Sequence, residues 1–295
     1  MKNNLKDQTL LFPNDPGIYK FFNDEEILYI GKAKNLKKRI NSYFSGQQTY
    51  KTQRLISLAN KLEYVTTNNE VDALPSVVDT LPLDELKTAG WNTRIVVVDG
   101  RSEDGTRELV TELELELIVQ GPASGKGFGM REAFARFLSH GDDVLVMLDA
   151  DGTYAPKDML RLLKHLEQGG YDVVTGSRLR GNIQPGAMSR INWIGNHILT
   201  WCAVALYRVF ISDVCTGYWV FKRSAIQKMS LNSTAFEIEA EMFTSCASEG
   251  LKMSEVPISY APRIGESKLG SIGDGARILR KLLVRKIFPK PVNRV

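Results

Sequence analysis

The sequence predicts an α/β fold, in which a Rossmann-like, parallel-rich sheet carries helices on both faces and is preceded by a small α+β module. Two observations support the larger fold. Short apolar runs at residues 94–98 and 144–148 each continue into an aspartate, as buried strands of a parallel sheet often do. Further strand patterns at 115–119 and 171–176 alternate with helical patterns of about a dozen residues, which is typical of βαβ units. The main domain is therefore predicted over residues 75–275.

Residues 1–74 have a different pattern. A Pro-Gly turn begins an apolar run at residues 16–22, a polar turn follows, and a second run at 27–30 completes a predicted hairpin. A basic helical pattern at 32–44, a second helix and a strand at 62–67 come next. This order of elements predicts the small α+β module.

Two carboxylates follow one of the buried strands. The apolar run at 144–148 leads into Asp149, and Asp151 comes two residues later beside Gly152. Open α/β sheets bind ligands at the carboxyl ends of their strands, and paired carboxylates suit a hard divalent cation. The pattern indicates a site for Mg²⁺ or Mn²⁺ shared with substrate phosphates. The alternative is a strand that ends in a solvated, Asp-rich turn.

The composition excludes several classes of protein. Of the 295 residues, 43% are hydrophobic and 24% are charged, which is typical of a soluble globular protein and not of a disordered one. The three cysteines have no C-x-x-C spacing and accompany only three histidines, so neither a zinc site nor a disulfide framework is expected. The first residues are polar and no apolar stretch follows them, so no signal peptide is predicted and a cytoplasmic location fits.

Six segments of the main domain together resemble one family. In chain order they are VVVDGRSEDGT, GKGFGMREAF, VLVMLDADGTYAP, VVTGSRL, DVCTGYWVFKR and VPISYAPRIGESKLGS. They are similar to the family 2 glycosyltransferases, and within these to dolichol-phosphate mannose synthase-like enzymes of archaeal type, over about residues 76–288. The resemblance implies a GT-A fold, a nucleotide-diphosphate-sugar donor and an inverting transfer to a polyprenyl (dolichyl) phosphate.

The same resemblance implies roles on the donor side. Asp149 and Asp151 would hold the metal that bridges the donor diphosphate, and they are catalytic candidates because the metal stabilises the leaving nucleoside diphosphate. The other donor-binding candidates lie at a strand end, in the glycine-rich segment and in the first helix: Glu70, Asp99, Gly100, Lys126 and Arg131.

Charge guides the prediction for the acceptor side. A lipid phosphate is already anionic, so it needs cationic positioning more than a strong general base. The acceptor-phosphate candidates are Arg178, Arg190, Arg263 and Lys268. Of these, Arg178 and Lys268 are also catalytic candidates, and Asp213 is the candidate for any catalytic base. A surface ion pair is the alternative for each arginine.

The first module resembles a second family. The motifs GIY and YIG, followed by GKAKNLKKRINSYF, are similar to the GIY-YIG nuclease domain of the excision-repair endonuclease UvrC, over about residues 10–74. The resemblance places four residues around a scissile phosphate: Tyr19, Tyr29, Lys32 and Arg39. The family's next helix carries a metal-binding glutamate, and no such helix follows Leu74. We therefore expect a truncated remnant without nuclease activity, whose basic helix binds DNA only weakly.

Two segments predict contact with a membrane surface. Residues 191–211 are the most apolar stretch, but three polar residues interrupt it, which favours an amphipathic helix at the core or at a membrane interface. Residues 276–295 contain seven Lys or Arg and no acidic residue, and are treated as a basic amphipathic tail. The prediction is a peripheral protein on the cytoplasmic face of an anionic membrane. Core packing and a frayed, solvated tail are the alternatives.

The junction between the two patterns is irregular. The transferase family normally begins with a central strand of the VSVVIPALNEE type, whereas here the strand at 62–67 precedes Asn69-Glu70 and could serve either domain. One strand cannot lie in two sheets, so we expect the transferase sheet to take it or the modules to be distorted where they meet. The leading function is a metal-dependent glycosyltransferase. The alternatives are a nucleic-acid enzyme or binding module, and an inactive fusion of the two.

Overall fold

A computed structural model of the protein describes residues 5–14, 17–24, 26–33, 35–45, 49–66, 70–102, 104–121, 125–263 and 271–291. The chain divides into two compact units, Met1–Asp72 and Ala73–Val295. This boundary lies two residues before the predicted one, and the predicted tail at 276–295 belongs to the second unit.

The first unit contains a three-stranded antiparallel sheet with β1 at its centre, in the order β2-β1-β3. Its elements are α1 (Leu5–Gln8), β1 (Gly17–Asn23), β2 (Glu26–Ala33), α2 (Leu36–Tyr43), α3 (Tyr50–Leu58) and β3 (Lys61–Thr66). The core contains Tyr19 and Phe21 from β1 and Leu36 and Ile40 from α2, all of them fully buried. The apolar face of the basic helix is therefore what holds α2 on the sheet.

β3 corrects the expectation for the junction. It pairs antiparallel with β1, with Tyr64 opposite Tyr19 and Leu62 opposite Phe21. The hypothesis that the transferase sheet takes this strand is wrong, because the ladder with β1 occupies one edge of β3. Leu62 also packs in the core of the first unit. Both backbone pairing and side-chain burial therefore keep the strand in the nuclease-like sheet.

The second unit alternates strands and helices, beginning in α4, which crosses the unit boundary. Its elements are α4 (Glu70–Asp79), α5 (Leu83–Thr88), β4 (Val96–Asp99), α6 (Thr106–Glu112), β5 (Glu116–Val119), α7 (Lys126–His140), β6 (Val144–Met147), α8 (Met159–Gln168), β7 (Val173–Ile183), α9 (Arg190–Tyr207), β8 (Trp219–Lys222), α10 (Arg223–Lys228), α11 (Ile238–Ser248), β9 (Met253–Tyr260) and α12 (Ser271–Ile287).

The strands of this unit form two sheets. β4 and β5 pair in parallel, and the other four strands have the order β6-β8-β7-β9. β8 runs antiparallel to β6 and β7, whereas β7 and β9 are parallel, so the larger sheet is mixed. Trp219 and Phe221 of β8 pack with α7, α9 and α11, and Val220 packs with α8. Because side chains alternate across a strand, helices cover both faces, and the α/β prediction is confirmed.

α9 and α12 pack against each other and form one outer layer of the second unit. Ile278 and Leu282 of α12 are buried, and the Tyr207 hydroxyl at the end of α9 donates to the Leu282 carbonyl at 2.9 Å. Within the described part of the chain, no helix combines the length and hydropathy needed to cross a bilayer.

Candidate active site

The two predicted metal-binding carboxylates lie in the loop after β6, and protein groups hold both. Asp151 is 5% exposed, and its Oδ1 accepts hydrogen bonds from the backbone N–H and the hydroxyl of Thr153, at 3.0 and 2.5 Å. Its Oδ2 lies 2.9 Å from a guanidinium nitrogen of Arg263. Gly152, between the aspartate and Thr153, has a φ of +75°, which lets the chain turn back on itself.

Lys126 is the first residue of α7 and faces the other aspartate. Its Nζ lies 2.8 Å from Asp149 Oδ1 and 2.6 Å from Glu239 Oε1. Burial alone would lower the pKa of Lys126, but the two carboxylates raise it above its ordinary value, so the ammonium stays charged. Burial also raises the pKa of Glu239, and the contact with Lys126 opposes that effect. Lys126 therefore bridges the loop after β6 and helix α11.

Glycine-rich sequence allows this placement of Lys126. The preceding Gly125 has a φ of +141°, and a Cβ built there would lie 2.2 Å from the Thr234 carbonyl oxygen. Its N–H donates to Gln120 Oε1 at 3.0 Å, which ties the helix start to the end of β5. Any side chain at residue 125 would push the start of α7 away from the segment before α11, and would move Lys126 with it.

Gly217 gives Asp149 its space. A Cβ at residue 217 would lie 2.5 Å from Asp149 Oδ2. The Gly217 N–H donates to the buried Tyr154 hydroxyl at 2.6 Å, and burial raises the pKa of Tyr154, so the phenol stays protonated. Tyr154 also stacks edge-on against Tyr218 and Tyr260. These three tyrosine rings pack beneath the Asp149 loop.

Arg178 and Asp213 form a buried pair. Arg178 Nε donates to Asp213 Oδ2 at 2.7 Å, and a terminal guanidinium nitrogen donates to Asp213 Oδ1, also at 2.7 Å. The Arg178 backbone N–H donates to Asp213 Oδ2 at 3.0 Å. Burial would lower the pKa of Arg178, but Asp213 raises it well above its ordinary value. Asp213 is 1% exposed and both its oxygens accept from Arg178, so the geometry suits a partner that orients Arg178 better than a general base.

Asp99 ends β4 and organises the loop after it. Its carboxylate accepts from the backbone N–H groups of Arg101 and Ser102 and from Arg107 Nε at 2.8 Å. Burial opposes ionisation, but the hydrogen bonds from Ser102 and Arg107 hold the pKa of Asp99 below its ordinary value. Gly100 follows in the same loop, next to the Gln120 amide. The carboxylate is 3% exposed, so a nucleotide would meet the loop that it supports.

The remaining predicted residues are less closely connected. Arg131 lies on α7 with its guanidinium over the Phe128 ring, and its Nε has no hydrogen-bond partner among the described residues. Arg190 begins α9 and is exposed. Glu70 begins α4, and its side chain is not described. Lys268 lies outside the described residues.

Glu239 is the site residue that sequence reasoning missed, since the segment FEIEAEM suggests the polar face of a helix. Instead residues 238–246 of α11 are buried, and both its glutamates are paired. Glu241 bonds Arg285 and lies 3.3 Å from Lys281, both on α12. The available signal was two acidic residues in a helix that has no other charged residue, because buried charges need partners.

The carboxylates of Asp149 and Asp151 fit a divalent metal whose coordination is completed by substrate. Asp149 and Asp151 are hard oxygen ligands at a strand end, which suits Mg²⁺ or Mn²⁺ bound by one or two carboxylates plus phosphates. Across the described residues, no group of three or more His, Cys, Asp or Glu could hold a metal by itself. A metal at this site would therefore take its remaining ligands from a diphosphate and water.

The first unit groups its predicted residues around Tyr19. The Tyr19 hydroxyl lies 2.9 Å from that of Tyr43 and accepts from Arg39 Nε at 3.1 Å. The ring of Tyr29 is 6.1 Å from that of Tyr19. Burial and the neighbouring phenols raise the pKa of Tyr43. The side chain of Lys32 is not described.

Two protein families match the chain. The sequence model described as "UvrC-like GIY-YIG domain" matches residues 15–77, and "Glycosyl transferase family 2" matches residues 64–230. The two matches overlap at 64–77, which includes the second half of β3 and most of α4. Each family thus extends into the irregular junction.

Known relatives agree with the second match. Glycosyltransferase AglJ of Haloferax volcanii is 35% identical over 228 residues, covering 77% of this chain and 72% of the relative. A dolichyl-phosphate hexose transferase of the same organism is 30% identical, covering 74% of this chain and 90% of the relative. Among solved structures, glucosyl-3-phosphoglycerate synthase from Mycobacterium tuberculosis, in complex with Mn²⁺, UDP and glucosyl-3-phosphoglycerate, superposes with a TM-score of 0.58 at 17% identity. That likeness covers 77% of this chain and 79% of the other, and shows a shared GT-A fold.

Proposed function

Because the chain belongs to glycosyl transferase family 2, we propose that it moves a hexose from a nucleoside diphosphate to a polyprenyl (dolichyl) phosphate with inversion at the anomeric carbon. One observation carries this proposal: the Asp149–Asp151 loop faces a lysine at the start of α7. Carboxylates for a metal and a cation for phosphates therefore share one site. One relative is a dolichyl-phosphate hexose transferase, which supports the acceptor class.

The donor would be bound by charge and by the end of a helix. Mg²⁺ or Mn²⁺ held by Asp149 and Asp151 would neutralise the negative charge that develops on the leaving nucleoside diphosphate. Lys126 adds an ammonium at the N-terminus of α7, where the helix dipole also favours an anion. The loop that Asp99 organises would hold the nucleoside, and Arg131 offers a further cation from α7.

The acceptor phosphate needs a cation and a fixed orientation. Arg178 is held in one orientation by Asp213 and by the side-chain oxygen of Asn196, 3.2 Å away. Arg263 adds a second charge beside Asp151, and Arg190 and Lys268 remain candidates for the acceptor phosphate. The acceptor oxygen is already anionic, so these residues lower the repulsion between two phosphate groups without removing a proton.

A membrane surface would supply the lipid acceptor. Four large apolar residues of α9 are exposed at helical spacing: Ile191, Ile194, Ile198 and Trp201. Leu283 and Ile287 of α12, which packs on α9, are exposed as well, next to the exposed cations Lys286 and Lys290. Apolar side chains beside cations suit the interface of an anionic bilayer on the cytoplasmic side. Lys281 and Arg285 pair with Glu241 and would anchor α12 to α11 instead.

The UvrC-like domain suggests a second, minor role. The cluster of Tyr19, Arg39 and Tyr43 is assembled, and the exposed Lys38 lies on the same helix as Arg39. We propose weak contact with the DNA backbone and no cleavage, because the family's metal-binding glutamate has no counterpart after Leu74. A DNA-cleavage assay with Mg²⁺ or Mn²⁺ would overturn this if it gave product that Arg39→Ala abolished.

The transfer is tested with the full chain, vesicles containing dolichyl phosphate, and labelled UDP- or GDP-hexoses in the presence of Mn²⁺. We expect lipid-extractable product of inverted anomeric configuration, and a loss of at least about a hundredfold in Asp151→Ala. Asp84→Ala, which changes an exposed aspartate on α5, is the matched control and should retain activity. Failure to label any polyprenyl phosphate with any donor would contradict the proposal.

Membrane contact has its own test. Co-sedimentation with anionic vesicles should fall in Trp201→Asp, because the variant removes exposed apolar surface and adds a repelling charge. Tyr50→Asp, which changes an exposed residue on α3 of the first unit, is the control. Equal vesicle binding by both variants would show that α9 does not face the bilayer.

A further inference from the structure

Each carboxylate at the proposed metal site is bonded to a cation of the protein. Lys126 lies between Asp149 and Glu239, and Arg263 bonds Asp151. The Asp151 and Glu239 side chains are each 7% exposed, and the Lys126 side chain is 20% exposed, so water screens these charges weakly. In the absence of substrate, the protein therefore neutralises its own metal-binding carboxylates.

This pairing conflicts with metal binding. A divalent cation would sit roughly 2.1 Å from an Asp149 oxygen, within a few ångströms of an ammonium that is 2.8 Å from the same carboxylate. Repulsion between the two cations disfavours both positions being filled at once. The ammonium must move away from Asp149, and for a half-buried ammonium the favourable move is towards another anion.

Besides Asp149, one carboxylate of the described residues and the donor's phosphates are available to Lys126. Glu239 already bonds it at 2.6 Å and keeps it near the site, and the donor diphosphate would bring several anionic oxygens. On the premise of the proposed function, we infer that Lys126 passes from Asp149 to the donor diphosphate, which makes the binding of metal and nucleotide cooperative. Glu239 is the positioning residue that holds Lys126 during this exchange.

The exchange is measured by the binding of Mn²⁺ to the full chain, followed through the electron paramagnetic resonance signal of free Mn²⁺, with and without UDP or GDP. The wild-type protein should bind Mn²⁺ on the order of tenfold more tightly with the nucleotide present. Lys126→Met removes the ammonium, so Mn²⁺ alone should bind more tightly than to wild type, and the gain from nucleotide should be smaller than in wild type, because only direct ligation by the diphosphate remains. Lys164→Met, an exposed lysine on α8, is the matched control and should behave as wild type.

Glu239→Gln separates positioning from a structural role. Of the two carboxylates that bond Lys126 in the described structure, Asp149 then remains, so Mn²⁺ alone should bind more weakly while the gain from nucleotide increases. A merely structural role would weaken Mn²⁺ and nucleotide binding together and leave their coupling unchanged. The double variant Lys126→Met with Glu239→Gln removes one charge of each sign, and it should still bind Mn²⁺ alone more tightly than wild type if Lys126→Met by itself does not fold.

The results distinguish this inference from the proposed function. If wild type binds Mn²⁺ equally well with and without UDP and GDP, or if neither Lys126 variant gains Mn²⁺ affinity, the exchange is overturned even where sugar transfer is observed. Intact coupling without transfer to any polyprenyl phosphate would overturn the proposed function alone. If neither nucleotide binds, both are overturned.

Discussion

The two central strands of the larger sheet, β7 and β8, are buried more deeply than the strands of the two-stranded sheet. Val173 and Val174 of β7 and Trp219 and Phe221 of β8 are fully buried between helices. In the two-stranded sheet, the valines of β4 are only half-buried, and β4 pairs with β5 alone. Arg178 lies on β7, whereas Asp149 follows β6, which is half-buried like β4. The strand that carries Arg178, proposed for the acceptor phosphate, is therefore more deeply buried than the strand that leads to the loop proposed for the nucleoside.

The pairing of β3 at the junction accompanies this difference. The transferase family normally begins with a central strand, and the segment that would supply it here is β3, which pairs with β1 in the first unit. Within the described part of the chain, β4 and β6 each pair with one strand, so each has an unpaired edge. The small sheet consequently depends on α6 and α7 for much of its support.

The largest expected effect tests the buried sheet directly. Trp219→Ala should lower the free energy of unfolding by about 3–5 kcal/mol, because Trp219 is fully buried and its ring stacks on Phe221 at 5.4 Å. Trp201→Ala removes an equally large side chain that is 68% exposed, and should change stability by less than about 0.5 kcal/mol. Urea denaturation measures both. Similar losses would contradict the burial described for β8.

The next largest expected effect is a difference in how much the ion pair of each sheet contributes to stability. Arg178→Met leaves Asp213 buried without a cation and should cost about 3 kcal/mol. Arg107→Met should cost less, because the N–H groups of Arg101 and Ser102 still bond Asp99 and Arg107 is itself 40% exposed. Equal costs in urea denaturation would indicate that both pairs are equally desolvated.

The Asp99 pair also predicts a dependence on pH. The pKa of Asp99 is depressed in the folded protein, so its contribution to stability is present above the ordinary pKa of about 3.9 and is lost as the pH falls through the folded value. Arg107→Met should therefore lose stability mainly at neutral pH and approach wild type in acid. A difference that grows in acid would contradict this sign.

The smallest expected effect is a difference in hydrogen exchange between the strands of the two sheets. Amide hydrogens of β4 and β5 should exchange at least about tenfold faster than those of β7 and β8, because local opening is easiest where fewer apolar contacts are lost. Nucleotide with Mn²⁺ should slow exchange in the Asp99 loop. Hydrogen exchange followed by mass spectrometry measures both, and uniform protection across the two sheets would remove the proposed difference.

Local patterns located much of the site. The apolar run before Asp149 is a strand, Asp99 ends another, and Lys126 lies where a glycine-rich segment becomes a helix. Each of these features depends on neighbours in sequence, so residue type and spacing were sufficient. The roles of the residues remain predictions that the experiments above test.

Features set by distant contacts were out of reach of such patterns. β3 pairs with β1, which lies about forty residues earlier in the chain, whereas the local sequence of β3 suited either sheet. The reversed direction of β8 depends on the path of the chain between strands. Glu239 reaches Lys126 because α11 packs near α7, which no helical period reveals.

The space that Gly217 leaves for Asp149 has a practical consequence. A single added methyl group at residue 217 would lie 2.5 Å from an Asp149 oxygen while the carboxylates, Lys126 and Glu239 remain chemically unaltered. Gly217→Ala is thus a candidate for a catalytically inactive allele that keeps every charged residue of the protein. In cells, such an allele would separate the effects of sugar transfer from those of the proposed membrane and DNA contacts.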